Sequence, residues 1–139
     1  MKVLFDTNII LDVLLDRKPF ADNASFLMSK VEQSEINGFL CATTVTTIHY
    51  LLSKHLDKEK TITSINSIMA LFEVASVNRV VIESALNSKF TDFEDSVLHE
   101  SAIHAGVEYI ITRNIKDFKR SKIPVFTPTE LLNMIESLT

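Results

Sequence analysis

Residues 2–12 read KVLFDTNIILD, an apolar run that halts at Asp6, Thr7 and Asn8 and then resumes. Val3 to Phe5 is short, branched and aromatic, the signature of a buried strand. Ile9, Ile10, Val13 and Leu14 recur at helical spacing instead. A strand that runs straight into a helix is the opening of a βαβ unit, so Asp6 stands at the carboxyl end of the first strand. The spacing predicts that Asp6 closes the strand and that Thr7 or Asn8 caps the helix. The question is whether Asp6 only starts a helix or carries chemistry.

Further strand signals occur at Phe39 to Ala42, Val74 to Val77, Tyr109 to Ile111 and Val125 to Phe126. Between them lie stretches of helical period: Phe26, Leu27 and Val31; Ile48, Leu51, Leu52 and His55; Ile65, Ile68, Met69 and Phe72; Val80, Val81, Ala85 and Leu86. Leu131, Leu132 and Ile135 close the chain in the same way. Strands alternating with helices predict an α/β fold of three layers, a central parallel sheet of about five strands with helices on both faces. Pro19 separates the first two helices, because the residue before a proline avoids helical geometry. Val45 to Phe72 reads as two consecutive helices broken near Asp57, a departure from simple alternation. With no linker or repeat in view, residues 1–139 are expected to form a single domain.

Composition narrows the class. The chain has 46% hydrophobic and 23% charged residues with few Gly and Pro, which excludes a disordered tail or a fibrous repeat. Cys41 is alone and sits in an apolar context, so it reads as a buried, inert thiol. Asp6 interrupts the first apolar run too early for a signal peptide, and no stretch approaches the roughly 18 apolar residues of a membrane helix. A cytoplasmic protein without membrane attachment is expected. The net charge of −4 argues against bulk electrostatic coating of nucleic acid. Residues 113–122, RNIKDFKRSK, are nevertheless a local basic run.

In an open parallel sheet, ligands bind outside the carboxyl ends of the strands. Asp6 lies at that edge, and so do Thr112, Arg113 and Asn114 after the strand YIIT, with Asp117 one turn further on. The helix before that strand must start at the same edge, and it starts with DFED: Asp92, Glu94 and Asp95. Each residue has an ordinary reading alone: a helix cap for Asp6 or Asp92, a surface or turn position for the others. Together they concentrate negative charge that a fold avoids unless something neutralises it. The simplest neutraliser is a hard divalent cation held by oxygens, Mg²⁺ or Mn²⁺, in one or two copies. Such an ion also binds phosphate, so an acidic chain can act on RNA or DNA with the basic run beside the metal.

These residues resemble the PIN domain family of divalent-metal nucleases, which includes the ribonuclease toxins of bacterial toxin–antitoxin pairs. The resemblance is carried by LFDTNIILDVLL, by DFEDSVLHESAIHAGVEYIITRNIKDF and by KIPVFTPTELL, along almost the whole chain. It implies a PIN-like fold and a metal-dependent endoribonuclease. Asp6, Asp95, Asn114 and Asp117 take the acidic catalytic positions. Asp6, Asp95 and Asp117 are expected to hold metal, assisted by Glu94 and Asp92, while Asn8, Thr112, Arg113 and Lys116 would contact the RNA. It also implies a homodimer and a cognate antitoxin. One departure stands out: the family commonly has a Glu in the helix after the second strand, where this chain has Thr47, or His49 if the alignment shifts by two residues. That gap leaves a second expectation open, a weakened PIN domain that binds RNA or protein without cutting.

Overall fold

A computed structural model describes residues 1–138. In chain order the elements are β1 (Lys2–Phe5), α1 (Thr7–Leu14), α2 (Ala21–Glu32), β2 (Asn37–Cys41), α3 (Ala42–Leu52), α4 (Lys58–Leu71) and β3 (Glu73–Ala75). They are followed by α5 (Arg79–Leu86), α6 (Phe93–His104), β4 (Tyr109–Ile111), a single 3₁₀ turn (Ile115–Phe118), β5 (Val125–Phe126) and α7 (Pro128–Ser137). All strand pairs are parallel, in the order β3-β2-β1-β4-β5. The three-layer α/β arrangement and the broken helix pair after β2 are as the sequence predicts.

The central strand explains why. Val3, Leu4 and Phe5 are all fully buried, and successive side chains point to opposite faces. Val3 and Phe5 pack with Ile9, Ile10, Leu27, Leu40, Ile48 and Leu131, beneath α1, α2, α3 and α7. Leu4 packs with Phe39, Val81, Val97, Leu98 and Ile110, beneath α5 and α6. Each alternate residue of β1 therefore supports a different helical layer. Strand order turns at β1: β2 lies on one side and β4 on the other. This makes the carboxyl ends of β1 and β4 the switch point of the sheet, the crevice where such folds place ligands.

Local chemistry sets the element ends at that crevice. The α1 cap is Asp6 itself, extended at φ −64° and ψ 153°, with its side chain accepting from Thr7 N. Thr7 and Asn8 are already helical, so neither caps α1 as the sequence reading expected. Thr7 Oγ1 instead meets Thr44 Oγ1 of α3 at 2.9 Å. Asp92 caps α6 by accepting from Asp95 N at 2.9 Å. At the other end of α6, Gly106 has φ 74°, a conformation glycine adopts without a Cβ clash. There Gly106 N and Val107 N donate to Ile103 O and Ala102 O, which closes the helix and turns the chain into β4. Cys41 is buried, and no helix among the described residues is long and apolar enough to cross a membrane.

Gly38 in β2 is needed for space. A Cβ there would lie 2.7 Å from the Phe72 ring and 3.0 Å from Val31. The ring cannot retreat, since Phe72 is buried and meets Phe5 edge-on at 5.0 Å. Gly38→Ala is expected to destabilise the fold by about 1–3 kcal/mol, read as a lower urea midpoint with an unchanged denaturant slope.

Candidate active site

β1 and β4 lie in register with Phe5 beside Ile111, so the next residues, Asp6 and Thr112, meet just beyond the sheet. Asp6 N donates to Ile111 O at 3.0 Å. Thr112 Oγ1, on a residue only 1% exposed, donates to Asp6 Oδ2 at 2.7 Å. With Thr7 N on Oδ1 at 2.8 Å, both oxygens of Asp6 are oriented by protein donors and each keeps a further lone pair. Thr112 Oγ1 in turn accepts from Asn114 N at 3.2 Å, which folds the following turn back over the strand ends. Asn114 Nδ2 then donates to Asp117 Oδ2 at 2.9 Å.

These groups line a cavity of about 310 Å³ together with Asn8, Thr47, Glu94, Asp95 and Arg113. Four separated stretches of sequence thus converge as expected from the edge rule. Asp92 does not line the cavity: it is exposed and occupied in capping α6. Lys116 is also exposed and outside the cavity lining. Thr47 lines the cavity, whereas His49 is exposed on the outer side of α3. The position facing the carboxylates is therefore Thr47.

Electrostatics mark the cavity as unbalanced. Burial raises the pKa of Asp6, with Asp117 adding to the rise, while the Thr112 and Thr7 hydrogen bonds and Arg113 oppose it. Asp95 is pushed up to about 7, first by burial and then by the negative charges of Asp6, Asp92, Asp117 and Glu94. Asp95 accepts no hydrogen bond at its carboxylate from any described residue. Arg113, the one cation on the cavity wall, is largely committed elsewhere. Its Nε lies 3.1 Å from Asp12 Oδ2, and its guanidinium carbon sits 4.1 Å from the centre of the Phe20 ring.

Asp12 was not expected at the site, yet it organises one wall. It is 0% exposed and lies between Arg113 and Arg17, whose Nε is 3.0 Å from Asp12 Oδ1. Burial raises the Asp12 pKa against the pull of both guanidinium groups, Arg113 first. Arg17 Nη2 reaches on to Asn8 Oδ1 at 3.2 Å, so Asn8 is held at the mouth of the cavity. A signal for Asp12 does exist in the sequence: one acid set within the apolar period of Ile9, Ile10, Val13 and Leu14, with Arg17 just beyond the helix. Thr44, also buried, was missed because a Thr in a Thr-rich helix start carries no distinguishing pattern.

The donor set suits a hard cation: anionic oxygens, pre-oriented at Asp6, whose mutual repulsion Arg113 offsets only in part. Among the described residues, no three His, Cys, Asp or Glu side chains are grouped so that they could hold a metal ion as they stand.

Comparison with known proteins agrees with the fold. A PIN domain family model matches residues 2–116, and the chain belongs to that family. Ribonuclease VapC1 of Aquifex aeolicus (strain VF5) is 28% identical over 137 residues, covering 93% of this chain and 92% of the relative. Among solved structures, FitAB bound to a DNA fragment superposes with a TM-score of 0.71 at 19% identity, over 91% of this chain and 94% of that one. A toxin–antitoxin complex from Klebsiella pneumoniae gives 0.67 at 24% identity, over 91% and 97%.

The raised Asp95 pKa has a definite sign for stability. The folded value of about 7 exceeds the ordinary 3.8, so the native state binds the proton more tightly and loses stability as pH rises between those values. Asp95→Asn is therefore expected to stabilise the metal-free protein at pH 8 by about 1–2 kcal/mol after solvent screening. Near pH 3.5 the same substitution has little effect. Urea denaturation in EDTA at the two pH values checks it.

Proposed function

We propose that the protein is a metal-dependent endoribonuclease and the toxin component of a toxin–antitoxin pair. The observation that carries this reading is the cavity at the switch point of the sheet, where Asp6, Asp95, Asp117 and Glu94 accumulate charge that Arg113 offsets only in part. Membership of the PIN domain family and the printed activity of the VapC1 relative support it. The toxin–antitoxin relative from Klebsiella pneumoniae supports an antitoxin partner. In this reading one PIN unit spans the chain, acts in the cytoplasm and works as a homodimer.

Asp6, Asp95 and Asp117 would hold the ion, Mg²⁺ or Mn²⁺, and Glu94 would supply the carboxylate that Thr47 does not. When bound, such an ion activates water and offsets charge on the phosphate under attack. The protein's own residues fix the geometry. Thr112 and Thr7 N orient Asp6, and Asn114 steers Asp117. Asn8 and Arg113, held by Arg17 and Asp12, face the RNA backbone at the cavity wall. Phosphate contacts of this kind position the strand without reading its sequence.

Cleavage of single-stranded RNA is expected with Mg²⁺ or Mn²⁺ and is lost by about a hundredfold or more in Asp6→Asn, by the usual weight of a catalytic electrostatic group. Robust cleavage by that variant, or in excess EDTA, would sink the reading. Thr47 favours the second reading, an RNA-binding PIN domain that does not cut, and RNA binding without cleavage across a range of metals would establish it. Glu94→Gln separates the two further. It is expected to weaken Mn²⁺ binding about tenfold or more, measured by calorimetry, and unchanged affinity would remove Glu94 from the ion.

A further inference from the structure

The basic run 113–122 is divided by the fold. Arg113 serves the acidic cavity, but Arg120 and Lys122 line a different cavity of about 440 Å³, between the end of α5, the loop after it and the flank of α6. On a helix advancing about 100° per residue, Glu100 lies about 140° round from Asp95 and about 7.5 Å along the axis. The two cavities thus lie on different flanks of α6.

Glu100 lines this second cavity and is only 6% exposed. Its oxygens open on the cavity, and its one ionic neighbour among the described residues is His99 Nδ1 at 3.6 Å, too long for a strong hydrogen bond. His99 itself is 1% exposed and accepts from Lys122 N through Nε2 at 3.0 Å. Burial, and Lys122 after it, lower its pKa against the effect of Glu100, so the ring is neutral with its proton on Nδ1, facing Glu100. Phe90, whose ring centre is 4.7 Å from that of His99, makes the apolar wall. At the rim stand Lys89, Arg120 and Lys122, all exposed and without an ion pair among the described residues.

This combination selects its own ligand. A carboxylate only accepts, so it matches a partner with adjacent N–H donors, while three unpaired cations at the mouth require an anion. A nucleotide carries both. Of the four common RNA bases, guanine alone presents two neighbouring donors, N1–H and the N2 amino group, on its pairing edge; adenine, cytosine and uracil each mix a donor with acceptors there. A cavity of this volume lies in the range that admits a small ligand. An acidic peptide would satisfy the rim but be repelled by Glu100.

We propose that this cavity is a base-reading subsite for a guanine nucleotide of the RNA, with Glu100 accepting from the guanine edge and Lys89, Arg120 and Lys122 holding its phosphate. The proposal rests on the ribonuclease reading for its substrate and deepens it by supplying a source of sequence preference. Single-stranded RNA is commonly recognised in this way, by splayed bases hydrogen-bonded on their pairing edges.

The test is an NMR titration of the full chain in EDTA with 5′-GMP, AMP, CMP and UMP. GMP is expected to bind about tenfold tighter than the others, the usual worth of one good bidentate base contact, and to shift the amides of Ser88, Glu100 and Lys122. Glu100→Gln should bring GMP level with AMP, and Arg120→Ala, at an exposed position, should weaken all four nucleotides. Equal binding of the four, no binding, shifts confined to Asp6 and Thr112, or a guanine preference that survives in a natively folded Glu100→Gln overturns the proposal. Should that variant not fold, the wild-type shift map and Arg120→Ala decide the matter alone. Wild-type protein that cleaves no RNA fails the nuclease reading, whereas mononucleotide binding judges the subsite independently.

Discussion

The hydrogen bond from Thr112 to Asp6, 2.7 Å long and formed just past the ends of two adjacent parallel strands, is the contact on which the site depends. It joins the first strand of the chain to the fourth. Asp6 N on Ile111 O continues the sheet by one more rung, so the carboxylate inherits the rigidity of a buried ladder rather than the freedom of a loop. From Thr112 the same hydroxyl organises Asn114, and Asn114 organises Asp117. A short relay of side chains therefore transmits the order of the sheet to an exposed turn.

That arrangement gathers like charges, and the protein does little to offset them. Its nearest arginine is drawn away by Asp12, which is completely buried, and is stacked on Phe20. Arg17 joins the same carboxylate and holds Asn8. Two guanidinium groups are thus spent on one internal acid while Asp95 stays pushed up to about 7. Arg113 on the cavity wall is thus fixed by its own contacts, and the carboxylates beside it keep most of their charge unpaired.

The fold was legible because its signals are local. The branched and aromatic run Val3 to Phe5 and the helical period in Ile9 to Leu14 each depend on neighbouring residues, and both appear in the structure. The acidic edge was legible because parallel strands force their carboxyl ends together. Helix α6 was less so. Its sequence shows a narrow apolar stripe, yet Ser96 to Ala102 are buried all round, because α5 covers one side and β2 and β3 the other. Ser96 and Ser101 meet this burial by donating to Ala85 O and Leu98 O, which no periodicity could reveal.

By itself, the sequence determined the order of elements, the parallel sheet and the set of acids at its carboxyl edge, since strand patterning and chain direction leave few other arrangements. Only tertiary structure decided which polar residues face one another. It chose Thr47 over His49 for the cavity wall, put Asp92 to capping, and made Asp6 at once a helix cap and a member of the charged cavity. It also split the basic run between two cavities and placed Asp12 between two arginines. The reason is physical: burial and hydrogen-bond partners are set by packing between elements far apart in the chain, and a side chain's charge state follows from both.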